Sequence, residues 1–391
     1  MRLTETWMSK EQQERRLNGL ERQLTSWSRT GGRLDFQGRS VLNFSSNDYL
    51  GLARHPHVLK RAAEALQRYG AGATASRLVV GSLDCHDELE ARLAGLKGYP
   101  AALVFGSGFA ANLGLVGALV GREDHVFIDR LAHASLVDAA VLSRAKVHRF
   151  QHNESSHLER LLAGAPGKGR RLVMTESVFS MDGDLAPLVE IASIATRYGA
   201  MVLVDEAHAT GVFGPSGAGR VRAEGIESEV NLSMGTLSKA LGGSGGFVAC
   251  SEPMRSRLIN HARSFIYSTA IPPVMVGAAL GALEVMEREP GLGAGLLGRA
   301  ERFRTRLRSA GVVTGDSGSQ IIPVMIGDNE RALRLHRRLL DEGVLVVPIR
   351  PPTVPSGTAR LRLSVMLDHT DEDLDRAAEQ IVRGMQAEGI L

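Results

Sequence analysis

Residues 236–246 read TLSKALGGSGG, and the lysine within them is the residue that most needs an explanation. Lys239 stands between small hydroxyl residues and a run of glycines, whereas a solvated lysine usually has charged neighbours. Thr236 and Ser238 offer hydroxyl groups suited to a phosphate, and glycines let the backbone approach a bulky ligand. A lysine amine beside an anion site can form an imine with a carbonyl compound. The segment therefore predicts a site for a carbonyl cofactor.

A second set of reactive side chains lies upstream, where the apolar run AMVLVDEAH (200–208) ends. A buried carboxylate such as Asp205 is costly unless it is paired, although a helix cap is its commonest alternative role. The pyridine nitrogen of pyridoxal phosphate needs an acidic partner, and His208 lies within reach of the same ring. The string DEAH also resembles a helicase or nucleotidase box. That function requires a phosphate loop GxxxxGK[ST], and the one Gly-Lys pair, at Gly167 and Lys168, has the wrong neighbours on both sides.

The composition is that of an ordinary globular protein. The 391 residues are 43% hydrophobic, 23% charged and 5% aromatic, which excludes a disordered chain and allows two or three lobes. A formal charge of +3 without blocks of like charge does not indicate nucleic-acid binding, although it suits an anionic substrate. Cys85 and Cys250 cannot form a disulfide framework, and no cluster has metal-binding spacing. We therefore expect no metal, and because we find no signal peptide or membrane span we expect a cytoplasmic protein.

Short apolar runs alternate with helix-length segments through the middle of the chain: AALVF, HVFID, KVHRF, RLVMTES, AMVLVDE, VNLSM and GFVAC. This pattern is typical of an α/β fold with a buried, mostly parallel sheet. A polar helix is expected from about Ser9 to Ser28. Further strands are predicted at QIIPVMI, VLVVPI and RLRLSV, before a last helix capped by Thr370. We therefore expect an N-terminal helix and arm (1–45), a large domain (46–285) and a small α+β domain (286–391).

Other candidate residues follow predicted strands. FGSGFAAN (105–112) fits a dinucleotide fingerprint weakly, and the N–H groups of Gly108 and Phe109 at a helix start suit a phosphate better. His133 and Ser180 each come just after a strand, at the sheet edge where open α/β folds bind ligands. A surface histidine or a turn serine would give the same pattern. These residues are therefore candidates for the same cofactor site.

Two arginines are candidates for binding a substrate carboxylate. Arg350 begins the stiff, proline-rich turn IRPPTVP, and a rigidly held guanidinium can clamp a carboxylate with two parallel hydrogen bonds. Thr353 adds a hydroxyl nearby. Arg22 lies on the charged N-terminal segment, where a solvated position is the competing interpretation.

Several ordered segments together resemble the α-oxoamine synthase family of fold-type I pyridoxal phosphate enzymes: NFSSNDYLGL, SGFAAN, DRLAHASL, VFSMDGD, VDEAHATGVFG, TLSKALGGSGG, IYSTAIPP and IRPPTVPSGTARLRL. The resemblance runs from about Leu20 to the carboxyl terminus. It implies a large domain with a mostly parallel seven-stranded sheet, a smaller α+β C-terminal domain and an N-terminal arm. It also implies pyridoxal 5'-phosphate as the cofactor.

The resemblance implies a role for each matching position. Lys239 would be the imine-forming lysine, Asp205 would contact the pyridine nitrogen, and His208 would contact the phenolic oxygen. His133 would stack on the ring and serve in catalysis. The other cofactor residues would be Gly108, Phe109, Ser180, Thr236 and Thr269, and the substrate residues would be Arg22, Asn47, His133, Arg350 and Thr353. Thr269 would reach a partner's phosphate, which implies a homodimer with shared sites.

The implied reaction is the decarboxylative condensation of L-alanine with a pimeloyl thioester of coenzyme A or acyl carrier protein, a step of biotin biosynthesis. IRPPTVP and NFSSND favour this member of the family. The nearest alternatives are a 2-amino-3-ketobutyrate ligase, which uses glycine and an acetyl thioester, and a synthase that uses glycine or serine. A catalytically silent scaffold subunit is an alternative of another class, and retention of Lys239, Asp205 and His208 argues against it. No nucleic-acid or membrane partner is expected.

Overall fold

A computed structural model describes residues 5–22, 24–28 and 31–391. The chain forms two compact units. The first comprises Met1–Ser46, Met181–Gly183 and Gly298–Leu391, and the second comprises Asn47–Ser180 and Asp184–Leu297. A compact unit is not by itself an independently folding domain, so the division at residues 45 and 285 stays a prediction.

Within its described residues, the first unit contains two small sheets. One joins β1 (Arg33–Phe36), β2 (Arg39–Asn43) and β11 (Val344–Leu345), and the other joins β10 (Ile321–Gly327), β13 (Ala359–Ser364) and β12 (Pro348–Ile349). The helices are α1 (Thr6–Leu17), α13 (Asn329–Asp341), α14 (Asp371–Ala387) and, from Gly298 onward, α12 (Leu292–Ser309).

Two expectations for this unit are wrong and one is confirmed. The first helix ends at Leu17 instead of Ser28, because Gly19 has a positive φ of 63° that terminates the helical backbone. The run VLVVPI is two short strands, since β11 pairs with β2 and β12 pairs with β13 in the other sheet. The cap is confirmed: the Thr370 side chain accepts from Asp373 N at 3.1 Å, and Asp373 accepts from Thr370 N in return.

A seven-stranded sheet forms the centre of the second unit's described residues. Its strands are β3 (Ala101–Phe105), β4 (His125–Asp129), β5 (Lys146–Phe150), β6 (Arg171–Glu176), β7 (Met201–Asp205), β8 (Leu232–Thr236) and β9 (Gly246–Cys250). The spatial order is β3-β9-β8-β7-β6-β4-β5, with β9 antiparallel to both neighbours and the remaining pairs parallel. The expected α/β sheet is confirmed, and AALVF, HVFID, KVHRF and GFVAC coincide with their strands.

Helices accompany the sheet along the chain: α2 (Pro56–Tyr69), α3 (Asp84–Lys97), α4 (Gly108–Leu119), α5 (Ala134–Ser143), α6 (Ser155–Gly164), α7 (Leu188–Arg197), α8 (Arg220–Ala223), α9 (Glu252–His261), α10 (Arg263–Ile266) and α11 (Pro273–Arg288). Both faces of the sheet are covered, since Val126 and Ile128 pack in one apolar cluster and Phe127 between them packs in another. The sheet is therefore buried between two apolar clusters, one on each face.

A buried ion pair involves Glu206, the residue that directly follows β7. Lys97, the last residue of α3, places its Nζ 2.8 Å from Glu206 Oε2 and 2.8 Å from Thr210 Oγ1. Ser233 Oγ donates to the same carboxylate at 2.8 Å, and Val221 N donates to its other oxygen at 3.0 Å. Lys97 is 1% exposed and Glu206 is 0% exposed. The pair links four elements of the second unit at the residue that follows Asp205.

Replacing Lys97 with methionine tests this pair. Removing one partner of a buried ion pair leaves the other charge without compensation, so we expect Lys97→Met to lower the free energy of unfolding by about 3–5 kcal/mol. The matched control is Lys60→Met, because the exposed Lys60 Nζ lies 3.9 Å from Glu64 and is expected to contribute about 0–1 kcal/mol. Urea unfolding followed by circular dichroism measures both. Equal, small losses in the two variants would contradict the prediction.

Candidate active site

Polar side chains converge where β4, β6, β7 and β8 end, because the carboxyl ends of parallel strands meet at one edge of a sheet. They surround a cavity of about 200 Å³. Its lining residues are Ser107, Gly108, Phe109, Asn112, His133, Ser135, Glu176, Asp205, Ala207, His208, Met234, Thr236, Ser238 and Lys239. The structure therefore brings together the predicted residues at positions 108, 109, 133, 205, 208, 236 and 239.

Asp205 is the buried carboxylate of the cavity. It ends β7 and is 5% exposed. Asn112 Nδ2 donates to its Oδ2 at 2.9 Å, and Ala207 N donates to its Oδ1 at 2.9 Å. Two donors therefore hold the carboxylate in a fixed orientation at the sheet edge.

Lys239 and His208 contact each other directly. Lys239 Nζ lies 2.8 Å from His208 Nε2. Lys239 comes shortly after the end of β8 and belongs to a turn in which Gly242 N donates to the Lys239 carbonyl at 2.8 Å. A primary amine is thus held beside an imidazole and within the same cavity as a buried carboxylate.

His133 caps the start of α5 and is held by a hydroxyl. Its Nδ1 accepts from Ser135 N at 3.2 Å and lies 2.7 Å from Ser135 Oγ. Ser135 Oγ accepts from Asn112 Nδ2 at 2.8 Å, so the serine can give its own proton to His133. Burial lowers the pKa of His133 below its usual range. The ring is therefore neutral at pH 7 with its proton on Nε2.

The start of α4 supplies an anion site. Ser107 caps this helix by accepting from Ala110 N at 3.0 Å, and the N–H groups of Gly108 and Phe109 in the first turn have no acceptor within their own helix. Thr236 Oγ1 lies 2.8 Å from Ser238 Oγ at the same cavity. Helix N-terminal N–H groups and hydroxyls together suit a phosphate.

Two buried polar atoms of lining residues have no hydrogen-bond partner among the described residues: Glu176 Oε1 and Asn112 Oδ1. Glu176 pairs with Asp205 in the β6–β7 register, which puts both side chains on one face of the sheet. Burial, and then the charge of Asp205, raise the pKa of Glu176 well above its ordinary value. These atoms, with the amine, the buried carboxylate and the phosphate-type donors, fit a polar heteroaromatic cofactor such as pyridoxal phosphate.

Two predicted cofactor residues do not line this cavity. Ser180 is half-buried in the turn that follows β6. Thr269 is exposed and forms an isolated bridge with Ser76. The expected role of Thr269 in a partner subunit stays a prediction.

The predicted substrate arginines lie in the first unit. Arg22 Nη2 donates to Thr353 Oγ1 at 3.4 Å. Arg350 donates to the carbonyl oxygen of Gly19 and borders a cavity of about 1130 Å³ in the same unit. In the second unit, Asn47 Oδ1 accepts from the Tyr49 hydroxyl at 3.1 Å.

The sequence interpretation missed Asn112, Ser135, Glu176 and Tyr49. Asn112 carries a signal that points to it, because it is the one amide in the otherwise apolar helix GFAANLGLVGAL. Ser135 and Glu176 carry no comparable signal, since serine at a helix start and glutamate at a strand end are common.

The described residues show neither of two other features, a metal-binding cluster and a membrane-spanning helix. They contain no group of three or more His, Cys, Asp or Glu side chains arranged to hold a metal ion. None of the helices in the described ranges has both the length and the apolar character needed to cross a membrane.

Comparison with known proteins places the chain in a family. A family model for aminotransferase class I and II matches residues 39–381. The chain is 50% identical over 376 residues to 8-amino-7-oxononanoate synthase of Geobacter sulfurreducens, covering 95% of this chain and 96% of the relative. A solved structure of SPT with PLP matches with a TM-score of 0.93 and 31% identity over 100% of both chains. The 8-amino-7-oxononanoate synthase of Francisella tularensis matches with a TM-score of 0.77 and 30% identity, over 90% of this chain and 99% of that one.

These matches assign the chain to an enzyme family and to one group of enzymes within that family. The chain belongs to the aminotransferase class I and II family of pyridoxal-phosphate-dependent enzymes, and within it to the 8-amino-7-oxononanoate synthases. The predicted fold type, cofactor and family are thereby confirmed.

A charged histidine secures the turn that contains Ser180. His152 Nδ1 lies 3.0 Å from Asp129 Oδ1, and His152 Nε2 lies 2.7 Å from Asp184 Oδ2. Asp184 closes the turn, because its carbonyl accepts from Phe179 N at 3.0 Å. Burial alone would lower the pKa of His152, but the hydrogen bonds and charges of the two carboxylates outweigh burial and raise it to about 9. His152 is therefore an imidazolium at neutral pH.

His152→Gln tests this imidazolium through the pH dependence of stability. The raised pKa in the folded state means that the stabilisation is complete below pH 6.5 and declines as pH rises to about 9. We therefore expect wild type to exceed the variant in free energy of unfolding by more at about pH 6 than at about pH 10. Urea unfolding at both pH values measures the difference. The same difference at both would show that no charge is involved.

Proposed function

We propose that the chain condenses L-alanine with a pimeloyl thioester in the cytoplasm and releases 8-amino-7-oxononanoate, carbon dioxide and a free thiol. The observation that carries this proposal is the convergence of Lys239, His208, Asp205 and His133 on one cavity. The curated relatives that bear the synthase name support the choice of reaction. Both cysteines are free and buried, which suits a reducing compartment.

The cavity residues divide the binding of pyridoxal phosphate between them. Asp205 would pair with the ring nitrogen, His208 would face the phenolic oxygen, and His133 would cover the ring. The α4 N–H groups and Thr236 would bind the phosphate. When bound, the cofactor supplies an electron-poor ring that accepts the negative charge left when a proton leaves the α-carbon of the amino acid. Ser180 would support the cofactor from its turn.

Lys239 is the group that moves a proton. Once its amine is not bound to the cofactor, it is a base within the cavity, and it can take the α-proton of alanine and return a proton to the product. Its neighbour His208, whose Nε2 lies 2.8 Å from the amine nitrogen, keeps the amine directed into the cavity. The carboxylate of Asp205 offsets positive charge on the ring side.

His133 is suited to binding the acyl group of the thioester. Ser135 occupies its Nδ1 and is itself held by Asn112, so the Nε2 proton is available for an acceptor in the cavity. The oxygen of the thioester carbonyl gains negative charge when a carbanion attacks the carbonyl carbon. A donor preorganised toward that oxygen lowers the energy of the transition state.

The arginines of the first unit suit the carboxylates of the two substrates. Arg350 would hold the α-carboxylate of alanine until carbon dioxide leaves, and Arg22 with Thr353 would hold the free carboxylate of the pimeloyl chain. Asn47 would be a further substrate contact. The formal net charge of +3 suits either acidic carrier of the acyl group, coenzyme A or acyl carrier protein.

A homodimer with shared sites forms part of the same proposal. Exposed apolar side chains lie close to Thr269, since Val79 and Val80 follow Ser76, the residue that bridges Thr269, and Tyr267 lies two residues before Thr269. These three side chains are 70–74% exposed. Apolar side chains this exposed are typical of an interface, which supports Thr269 reaching a partner's site.

A spectroscopic titration tests the proposed reaction. Wild type with pyridoxal phosphate is expected to show a visible absorbance band that responds more strongly to L-alanine than to glycine or L-serine, and to release free thiol when pimeloyl thioester is added. Lys239→Ala is expected to lose turnover by at least about 10²- to 10⁴-fold, whereas the exposed control Lys168→Ala keeps it. A preference for glycine or serine would indicate a sister enzyme. Absence of any visible band would contradict the cofactor assignment.

A further inference from the structure

A chain of hydrogen bonds leads from Lys239 into the interior of the second unit. Beyond the contact between Lys239 and His208 Nε2, His208 Nδ1 lies 2.7 Å from the hydroxyl oxygen of Tyr49. That hydroxyl donates to Asn47 Oδ1 at 3.1 Å. Tyr49 is 0% exposed and His208 is 4% exposed, so these bonds are shielded from bulk water. Tyr49 thus connects the histidine beside Lys239 to a turn that is remote in sequence.

The direction of each hydrogen bond follows from the proton count. A tyrosine hydroxyl has one proton, and Tyr49 donates it to Asn47. Its oxygen therefore accepts from His208 Nδ1, so that nitrogen carries a proton. On the other side of the ring, His208 Nε2 lies 2.8 Å from Lys239 Nζ, and because a lysine side chain donates and does not accept, Nε2 presents its lone pair to Lys239. The Tyr49 hydroxyl therefore determines which nitrogen of His208 faces Lys239 and that this nitrogen carries a lone pair.

The turn that contains Tyr49 is fixed against the turn that contains Lys239. Tyr49 N donates to the Asn47 carbonyl at 2.8 Å. Gly242, three residues after Lys239, has a φ of +67°, and a Cβ at this position would fall against the backbone nitrogen of Ala53. The two backbones therefore touch where only glycine fits. This contact keeps the tyrosine hydroxyl and the lysine amine at fixed relative positions.

We propose that Tyr49 is a positioning residue for His208, whose hydroxyl holds the imidazole in one orientation and one tautomer. The hydroxyl thereby decides whether His208 Nε2 presents a lone pair or a proton to Lys239 and to the phenolic oxygen of pyridoxal phosphate. This role rests on the proposed function. Without the hydroxyl, His208 Nδ1 and Asn47 Oδ1 each lose a partner at a place shielded from water. The imidazole is then free to rotate or to carry its proton on the other nitrogen.

Tyr99 provides a matched control, because its hydroxyl has a purely structural partner. It donates to the Val230 carbonyl at 2.9 Å, and Tyr99 does not line the active-site cavity. Tyr49→Phe and Tyr99→Phe each remove one hydroxyl and keep the ring volume. Both are expected to lower the melting temperature, so stability alone does not distinguish a positioning residue from a structural one. Properties of the bound cofactor do.

The experiment compares wild type, Tyr49→Phe and Tyr99→Phe as holoenzymes. For Tyr49→Phe we expect the pH midpoint of the cofactor's absorbance change to move by about 0.5 unit or more, because the hydrogen-bonding group beside the cofactor changes. We also expect its dissociation constant for pyridoxal phosphate to rise by about 5-fold or more, since a buried hydrogen bond is lost. Tyr99→Phe is expected to match wild type in both.

The role of Tyr49 is wrong if Tyr49→Phe keeps the wild-type midpoint and dissociation constant while its melting temperature falls as in Tyr99→Phe. Neither readout requires turnover with a thioester. A wild-type protein that binds the cofactor but does not condense L-alanine would therefore overturn the proposed function and leave the measurement on Tyr49 intact.

Discussion

A buried carboxylate is stable only among hydrogen-bond donors, and the active site is arranged around the donors that surround Asp205. Asn112 is the central one, because its single amide nitrogen donates both to Asp205 and to Ser135. Through Ser135 the same amide orients His133. A helix, a strand end and a helix cap that are far apart in the chain are thus tied together at one point. The buried Lys97–Glu206 ion pair holds the residue that follows Asp205 at the end of β7.

The two histidines of the cavity are held in opposite tautomers by neighbouring hydroxyls. Ser135 occupies Nδ1 of His133, which leaves an Nε2 proton for an acceptor. Tyr49 accepts from Nδ1 of His208, which leaves an Nε2 lone pair toward Lys239. One imidazole is therefore a donor and the other an acceptor within the same small cavity.

Much of the fold follows from local sequence, whereas part of the site follows only from contacts between distant residues. The strands β3, β4, β5 and β9 are predictable because sheets covered on both faces require continuous apolar runs. The end of α1 and the division of VLVVPI depend on one glycine conformation and on pairing with two different sheets. Lys239, Asp205, His208 and His133 are predictable because they lie at the end of a strand or shortly after it. Their partners have ordinary residue types and acquire a role only through the tertiary contacts of Asn112, Ser135, Glu176 and Tyr49.

The central claim is that Lys239 is the residue that holds pyridoxal phosphate. The most direct measurement is borohydride reduction of the holoenzyme, followed by proteolysis and mass spectrometry of the lysine-containing peptides. A pyridoxyl group on Lys239, and on no other lysine at comparable yield, is the predicted result. A pyridoxyl group on a different lysine such as Lys97, or a reduced protein without any attached group, would contradict the account.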